Sequence, residues 1–214
     1  MSLRSISVEF WSRVFFVLGK ISVFAIVYPM SRKALPNKQP QWWYDFVDVW
    51  VLGHLALSII SVVIVNQLRD HWLSYVVVAY GLLRVFEVIV YQVNVLLFDE
   101  YRAQKKGIEY RVRAYRRMVV NLFNNFAEIV FWFASSYILF SASLTEIEMT
   151  VPGMLFNSFS VMTTFGVSDL KVRNETGLAI LWFQSMSGLL MTLLSISRFI
   201  GMLPKSPSMD ETEN

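Results

Sequence analysis

The sequence predicts an all-α membrane protein, and three observations carry that assignment. Apolar residues make up 55% of the 214 positions and charged residues 16%, with a mean hydropathy of +0.48. Soluble domains run at about 45–50% apolar and about 25% charged. Four apolar runs are each long enough to cross about 30 Å of hydrocarbon, which takes roughly 20 helical residues. The basic residues gather in short connectors beside those runs, a pattern that sets membrane orientation. The pI near 9.2 therefore reports topology, and no nucleic-acid partner is expected. Cysteine is absent, which excludes disulfides, thiolate metal sites and thiol nucleophiles.

Residues 1–30 admit two readings. Glu9, Ser12, Arg13 and Lys20 recur at helical spacing, with Phe10, Trp11, Val14, Phe15 and Leu18 elsewhere. That pattern describes an amphipathic helix in the headgroup region, bending inward after Lys20. Val14 to Tyr28 is also apolar enough to form a further span, and the sequence leaves both open. A cleaved leader is not expected, because charges continue to Lys20 and no small-residue site precedes Tyr28-Pro29.

Residues 31–98 hold two accessory spans, Phe46 to Asn66 and Trp72 to Phe98. Residues 99–117 form a basic linker carrying Arg102, Lys105, Lys106, Arg111, Arg113, Arg116 and Arg117. Positive residues stay inside, so this linker is assigned to the cytoplasm, where its basic residues face anionic lipid. Residues 118–204 begin with an outward span, Met118 to Ser141, and end with an inward one, Gly177 to Leu203, which Pro204 stops. The final span would reach about 40 Å and must tilt or project. The acidic tail, 205–214, then lies in the cytoplasm without expected structure, and the whole is a multi-pass protein of the cell membrane.

Between the last two spans, Thr150 to Thr163 reads as a short helix, with Pro152 near its start and no breaker between Gly153 and Gly166. About 12 residues give roughly 18 Å, half a bilayer. The chain must leave by another path. Thr164 to Asp169 is too short and too polar to face lipid as a helix, so its backbone must line water or be buried in protein. A pore loop meets both demands.

The run Thr163-Thr164-Phe165-Gly166-Val167-Ser168-Asp169, with Gly177 eight residues beyond Asp169 and Gly188 eleven beyond that, resembles the pore module of the tetrameric potassium-channel superfamily. The filter of that family reads Thr-Val-Gly-Tyr-Gly-Asp, and its two-span members show the same intervals from filter aspartate to inner-helix glycine to gating hinge. The resemblance covers roughly residues 118–203. It implies an outer helix, a half-helix pore loop and an inner helix, assembled as a homotetramer. Thr164, Phe165, Gly166, Val167 and Ser168 would form the selectivity filter, braced by Thr163 and Asp169. Backbone carbonyls from four copies would replace a cation's hydration shell.

Val167 stands where the family has Tyr, Ser168 where it has a second Gly, and Phe165 where it has a small Val. These departures imply altered geometry and weaker discrimination, with K+ and Na+ as permeant ions and no other cofactor. Gly188 would be the hinge. Steps of three or four along the last helix place Leu189, Thr192, Ile196 and Ile200 on one face, a pore lining and gate whose alternative role is helix packing.

Arg84 and Glu87, three apart, share a helix face, and Glu128 lies on a polar stripe of the neighbouring span with Asn121, Asn124, Asn125 and Ser135. Ionisable groups in hydrocarbon need partners, so these form either a gating network or a structural pairing. No enzyme is expected. The two histidines, His54 and His71, lack a partner at metal-ligand spacing, and no nucleophile elbow or phosphate loop is present. The leading reading is a potassium-permeable tetrameric cation channel. Its alternatives are a non-conducting scaffold or sensor subunit of the same fold, and a small transporter or adaptor. The regulatory partner and the opening stimulus are not encoded in any attached domain.

Overall fold

The computed structural model describes residues 5–34, 40–108, 115–146, 150–165 and 169–202. The basic positions Arg111 and Arg113, the filter positions Gly166, Val167 and Ser168, and the acidic tail lie outside the described residues. Among the described residues, nine α-helices follow in order: α1 (Ile6–Leu18), α2 (Val23–Ala34), α3 (Pro40–Gln67), α4 (Trp72–Val93), α5 (Asp99–Lys105), α6 (Tyr115–Leu139), α7 (Ser141–Leu144), α8 (Val151–Met162) and α9 (Glu175–Met202). A single π-helical turn, Asn94–Phe98, joins α4 to α5. No strand occurs among the described residues.

Among the described residues, four stretches are long and apolar enough to cross a membrane, Asp45–Gln67, Trp72–Lys105, Arg116–Leu139 and Glu175–Ile200, and the bent pair Ile6–Leu18 and Val23–Ser31 makes a fifth if it is counted as one span. The bundle centres on α6, which packs against α3, α4, α8 and α9. Ile129, Trp132, Phe133, Ala134, Tyr137 and Ile138 of α6 are all buried. The indole of Trp132 lies over Gly81 of α4, where a Cβ would fall 2.3 Å from the ring. Ser61 of α3 and Ser135 of α6 share a hydrogen bond of 2.7 Å. The outer faces stay apolar: Leu52, Ile60 and Val63 on α3 and Leu178, Trp182 and Leu193 on α9 are exposed, a surface that needs lipid or protein to cover it.

The second span differs from its sequence reading, which broke it at Asp99. The helical path continues through the π turn to Lys105. The charges that suggested a break instead suit the short α5, with Asp99 and Glu100 in its first turn and Arg102 and Lys105 in its last, complementing the helix dipole at each end. The first seven residues of the supposed linker are therefore helical.

The N-terminal segment is two helices bent by 75°, and α2 runs past Met30 to Ala34. Ser22 starts α2 by accepting the Ala25 N–H at 3.2 Å. Helix α1 climbs along the end of the α4–α5 stretch. Lys105 Nζ meets Glu9 at 2.9 Å, Arg102 donates to Ser12 O at 3.2 Å, and Phe15 stacks on Phe98 at 5.7 Å. The tip reaches Glu87 through Ser22 and Phe24. Helix α2 then descends α3, with Phe24 against Trp50 at 5.6 Å and Tyr28 against Phe46 at 6.4 Å. The hairpin thus enters and leaves at the same end of the bundle. A single helix, whether interfacial or spanning, does not describe it.

Candidate functional site: a half-length helix and a buried charge cluster

Helix α8 begins at Thr150, whose Oγ1 accepts the Gly153 N–H at 3.3 Å, with Pro152 in the first turn where no hydrogen-bond donor is missed. Its 12 residues give about 18 Å. Three buried polar side chains fix it between α6 and α9. The Ser158 hydroxyl donates to Val130 O at 2.7 Å. Gln184 of α9 donates from Nε2 to Ser158 O at 2.7 Å and to its Oγ at 3.0 Å. Tyr137 of α6 donates to Gln184 Oε1. Each group is satisfied by another buried one, so the helix end has one position.

The C-terminus of α8 is a Schellman motif. Phe165 N–H donates to Ser160 O at 3.0 Å and Thr164 N–H to Val161 O at 3.3 Å, with Thr164 at φ 56°. That left-handed position is usually a glycine's, and a β-branched residue there costs roughly 1 kcal/mol or more. Among the described residues, Thr164 is the non-glycine position that carries this strain.

From there the chain turns back. Asp169 N–H donates to Asn157 Oδ1 at 3.0 Å, midway along α8. Lys171 and Arg173 donate backbone N–H groups to Leu144 O at 2.7 Å and Ser143 O at 3.0 Å. Asn174 then caps α9 by accepting the Gly177 N–H at 2.9 Å. The segment from α8 to α9 therefore enters and leaves on the side where α6 ends.

The sequence-derived residues fall as follows. Thr163 donates its hydroxyl to Phe159 O at 2.8 Å, and Thr164 to Thr163 O at 2.7 Å. Phe165 is 75% exposed and Asp169 is exposed. Leu189, Thr192, Ile196 and Ile200 share an exposed face of α9, while Ile180, Gln184, Ser187, Met191 and Leu194 face inward. Helix α9 runs unbroken through Gly188. A Cβ there would sit 2.6 Å from Met162 O, and one at Gly177 2.3 Å from Ser143 O. Both glycines serve close backbone crossings. Gln184, Asn157 and Tyr137 were missed; the signal was Gln184, an isolated amide in an apolar span.

The second centre lies on the other side of α6. Arg84 is 5% exposed, Glu87 4% and Glu128 0%. Arg84 Nε donates to Glu128 Oε1 at 2.9 Å, and Arg84 Nη1 lies 3.2 Å from Glu87 Oε2. Trp132 Nε1 adds a bond to Glu128 at 3.2 Å. Glu87 Oε1 accepts from the Ser22 hydroxyl at 2.5 Å and the Phe24 N–H at 2.9 Å. Beside them, His54 of α3 donates from Nδ1 to Trp50 O at 2.8 Å and meets the Tyr80 hydroxyl through Nε2 at 2.7 Å. The sequence grouped Arg84, Glu87 and Glu128 as one intramembrane network. All three meet, and the hairpin tip closes on them. One cation faces two carboxylates, so with both ionised the cluster carries a negative charge in excess.

No family model matches this chain, and no curated protein or solved structure matches it significantly. Among the described residues, no group of three or more His, Cys, Asp or Glu side chains is placed to hold a metal ion.

Proposed function

We propose that the chain is the subunit of a homotetrameric pore-loop cation channel, permeable to K+ and less able than a pure potassium filter to exclude Na+. One observation carries the reading: a half-length helix, fixed by buried hydrogen bonds between two full spans, ends against Met162–Gly188 and returns to the side from which it came. Backbone at that depth requires protein or water around it. In the assembly, Thr164 to Ser168 of four copies supply carbonyl oxygens to the ion, and the carboxyl end of α8 adds its partial negative charge. The exposed face Leu189, Thr192, Ile196 and Ile200 lines the path below, and lipid covers the remaining outer surface. The basic residues between 99 and 117 and the chain's end face the cytoplasm.

A second reading keeps the fold without conduction, as a scaffold or sensor subunit. It is favoured by Thr164, whose left-handed turn closes the helix where an extended filter backbone would begin.

Purified protein in liposomes under a potassium gradient separates the two. The channel reading expects cation efflux that Gly166→Ala abolishes while fourfold assembly is kept. A tetramer without flux supports the second reading, and a monomer without flux contradicts both.

A further inference from the structure

A cavity of about 590 Å³ opens between the α1–α2 hairpin, α3, α4 and α6. Its lining passes from exposed Lys20 and Lys106 to buried Arg84, Glu87 and Asn125. The volume suits a small organic ligand, and the walls are mostly apolar, including Phe16, Phe24, Val88 and Tyr91. Two buried polar atoms on this lining have no hydrogen-bond partner, Asn125 Oδ1 and Trp50 Nε1, while Glu87 Oε2 has only the Arg84 guanidinium, 3.2 Å away. Asn125 is only 3% exposed. A buried polar group left unmatched in this way asks for a partner.

The chemistry of that partner follows from the atoms. Asn125 Oδ1 and Glu87 Oε2 are acceptors, the second part of a cluster in which a single guanidinium faces two carboxylates. The complement is a cation with N–H donors. The apolar walls add a hydrophobic body, and the Trp50 ring adds a face for cation–π attraction. Lys20, Arg102 and Lys106 at the mouth would suit an anionic lipid headgroup. The tail of such a lipid, however, would press hydrocarbon onto Asn125 Oδ1 and leave it unmatched. We infer that this cavity is a binding site for an amphiphilic primary ammonium ligand, its N–H groups on Glu87 and Asn125 and its apolar body along α2 and α4. The inference is independent of whether the chain conducts ions.

Calorimetric titration of the full chain in detergent tests it, with phenethylammonium as the probe. Three relatives of like shape serve as comparisons: phenethyl alcohol, 3-phenylpropanoate and trimethyl(phenethyl)ammonium. Saturable binding of phenethylammonium is expected, with each relative at least about tenfold weaker, the scale of a lost charge-assisted hydrogen bond. Asn125→Leu should weaken the primary ammonium by a similar factor. The ligand series on the parent protein decides the matter if that variant fails to fold. Equal binding of the alcohol, tighter binding of the carboxylate, displacement of the ammonium by phosphatidylglycerol, or no binding at all would overturn the assignment.

Discussion

Arg84→Met is expected to cost about 3–5 kcal/mol, the usual penalty for removing one partner of a buried ion pair. The substitution strips the cation from Glu87 and Glu128, which are 4% and 0% exposed, and leaves two carboxylates facing each other behind α6. Deprived of counter-charge, they must bind protons or admit water. The hairpin tip should loosen as well, since Ser22 and Phe24 both donate to Glu87 Oε1. Thermal unfolding in detergent reads the loss. The triple variant Arg84→Met/Glu87→Gln/Glu128→Gln should regain most of it, because neutral amides keep acceptors for Ser22, Phe24 and Trp132 while removing the charges. A buried ion triad replaced by neutral groups is often no less stable. A single variant as stable as the parent would mean the cluster is hydrated rather than sealed.

Gly188→Ala is expected to disturb conduction more than its one methyl group suggests. The new Cβ would stand 2.6 Å from Met162 O, a distance no packed pair of atoms tolerates. The obstacle is backbone at the end of α8, so it cannot swing aside as a flexible side chain would. Either α9 moves out or the end of α8 moves, and overpacking of this kind costs about 1–3 kcal/mol. Because the proposed filter begins two residues after Met162, cation flux should fall by at least about tenfold, since displacement of a positioned site by about 1 Å can cost that much or more. Gly53→Ala on α3 is the control: nothing lies within 4 Å of its Cβ, and alanine there should hold or raise stability. Equal flux and stability in Gly188→Ala and the parent would remove the close crossing from the account.

The helical class and the spans were legible because hydrophobic run length and capping residues are local properties. Thr150 and Pro152 start α8, and Asn174 starts α9, through contacts within three residues. What the sequence concealed is tertiary. Spacing along one helix brings Glu87 to Arg84, and the polar stripe of α6 pointed to Glu128 as part of the same network, but nothing in the order of residues brings Ser22 from 65 positions earlier. The break between α1 and α2 falls beside Lys20, where the sequence placed a bend; what stayed hidden is its partner Glu87, which accepts from Ser22 and Phe24. The break predicted at Asp99 failed because charge was taken as an end signal, whereas charges matched to the dipole lengthen a helix. Gly177 and Gly188 were found by interval, with Gly188 expected as the hinge; the carbonyls of Ser143 and Met162 beneath them give both a packing role that interval alone did not reveal. Thr164 in the left-handed region was not legible, because its conformation follows from where Ser158 and Gln184 anchor α8.

The central claim is that one face of α9 forms the wall of a cation path beneath the re-entrant loop. The chain contains no cysteine, so a single introduced thiol reports without background. Thr192→Cys lies on the exposed face of α9, and Met191→Cys, fully buried against the bundle, is its neighbour on the opposite side. Current through the reconstituted protein should be blocked by a cationic methanethiosulfonate reagent in Thr192→Cys and left unchanged in Met191→Cys. Current that survives modification of Thr192→Cys, or that is absent from the unmodified tetramer, would contradict the account.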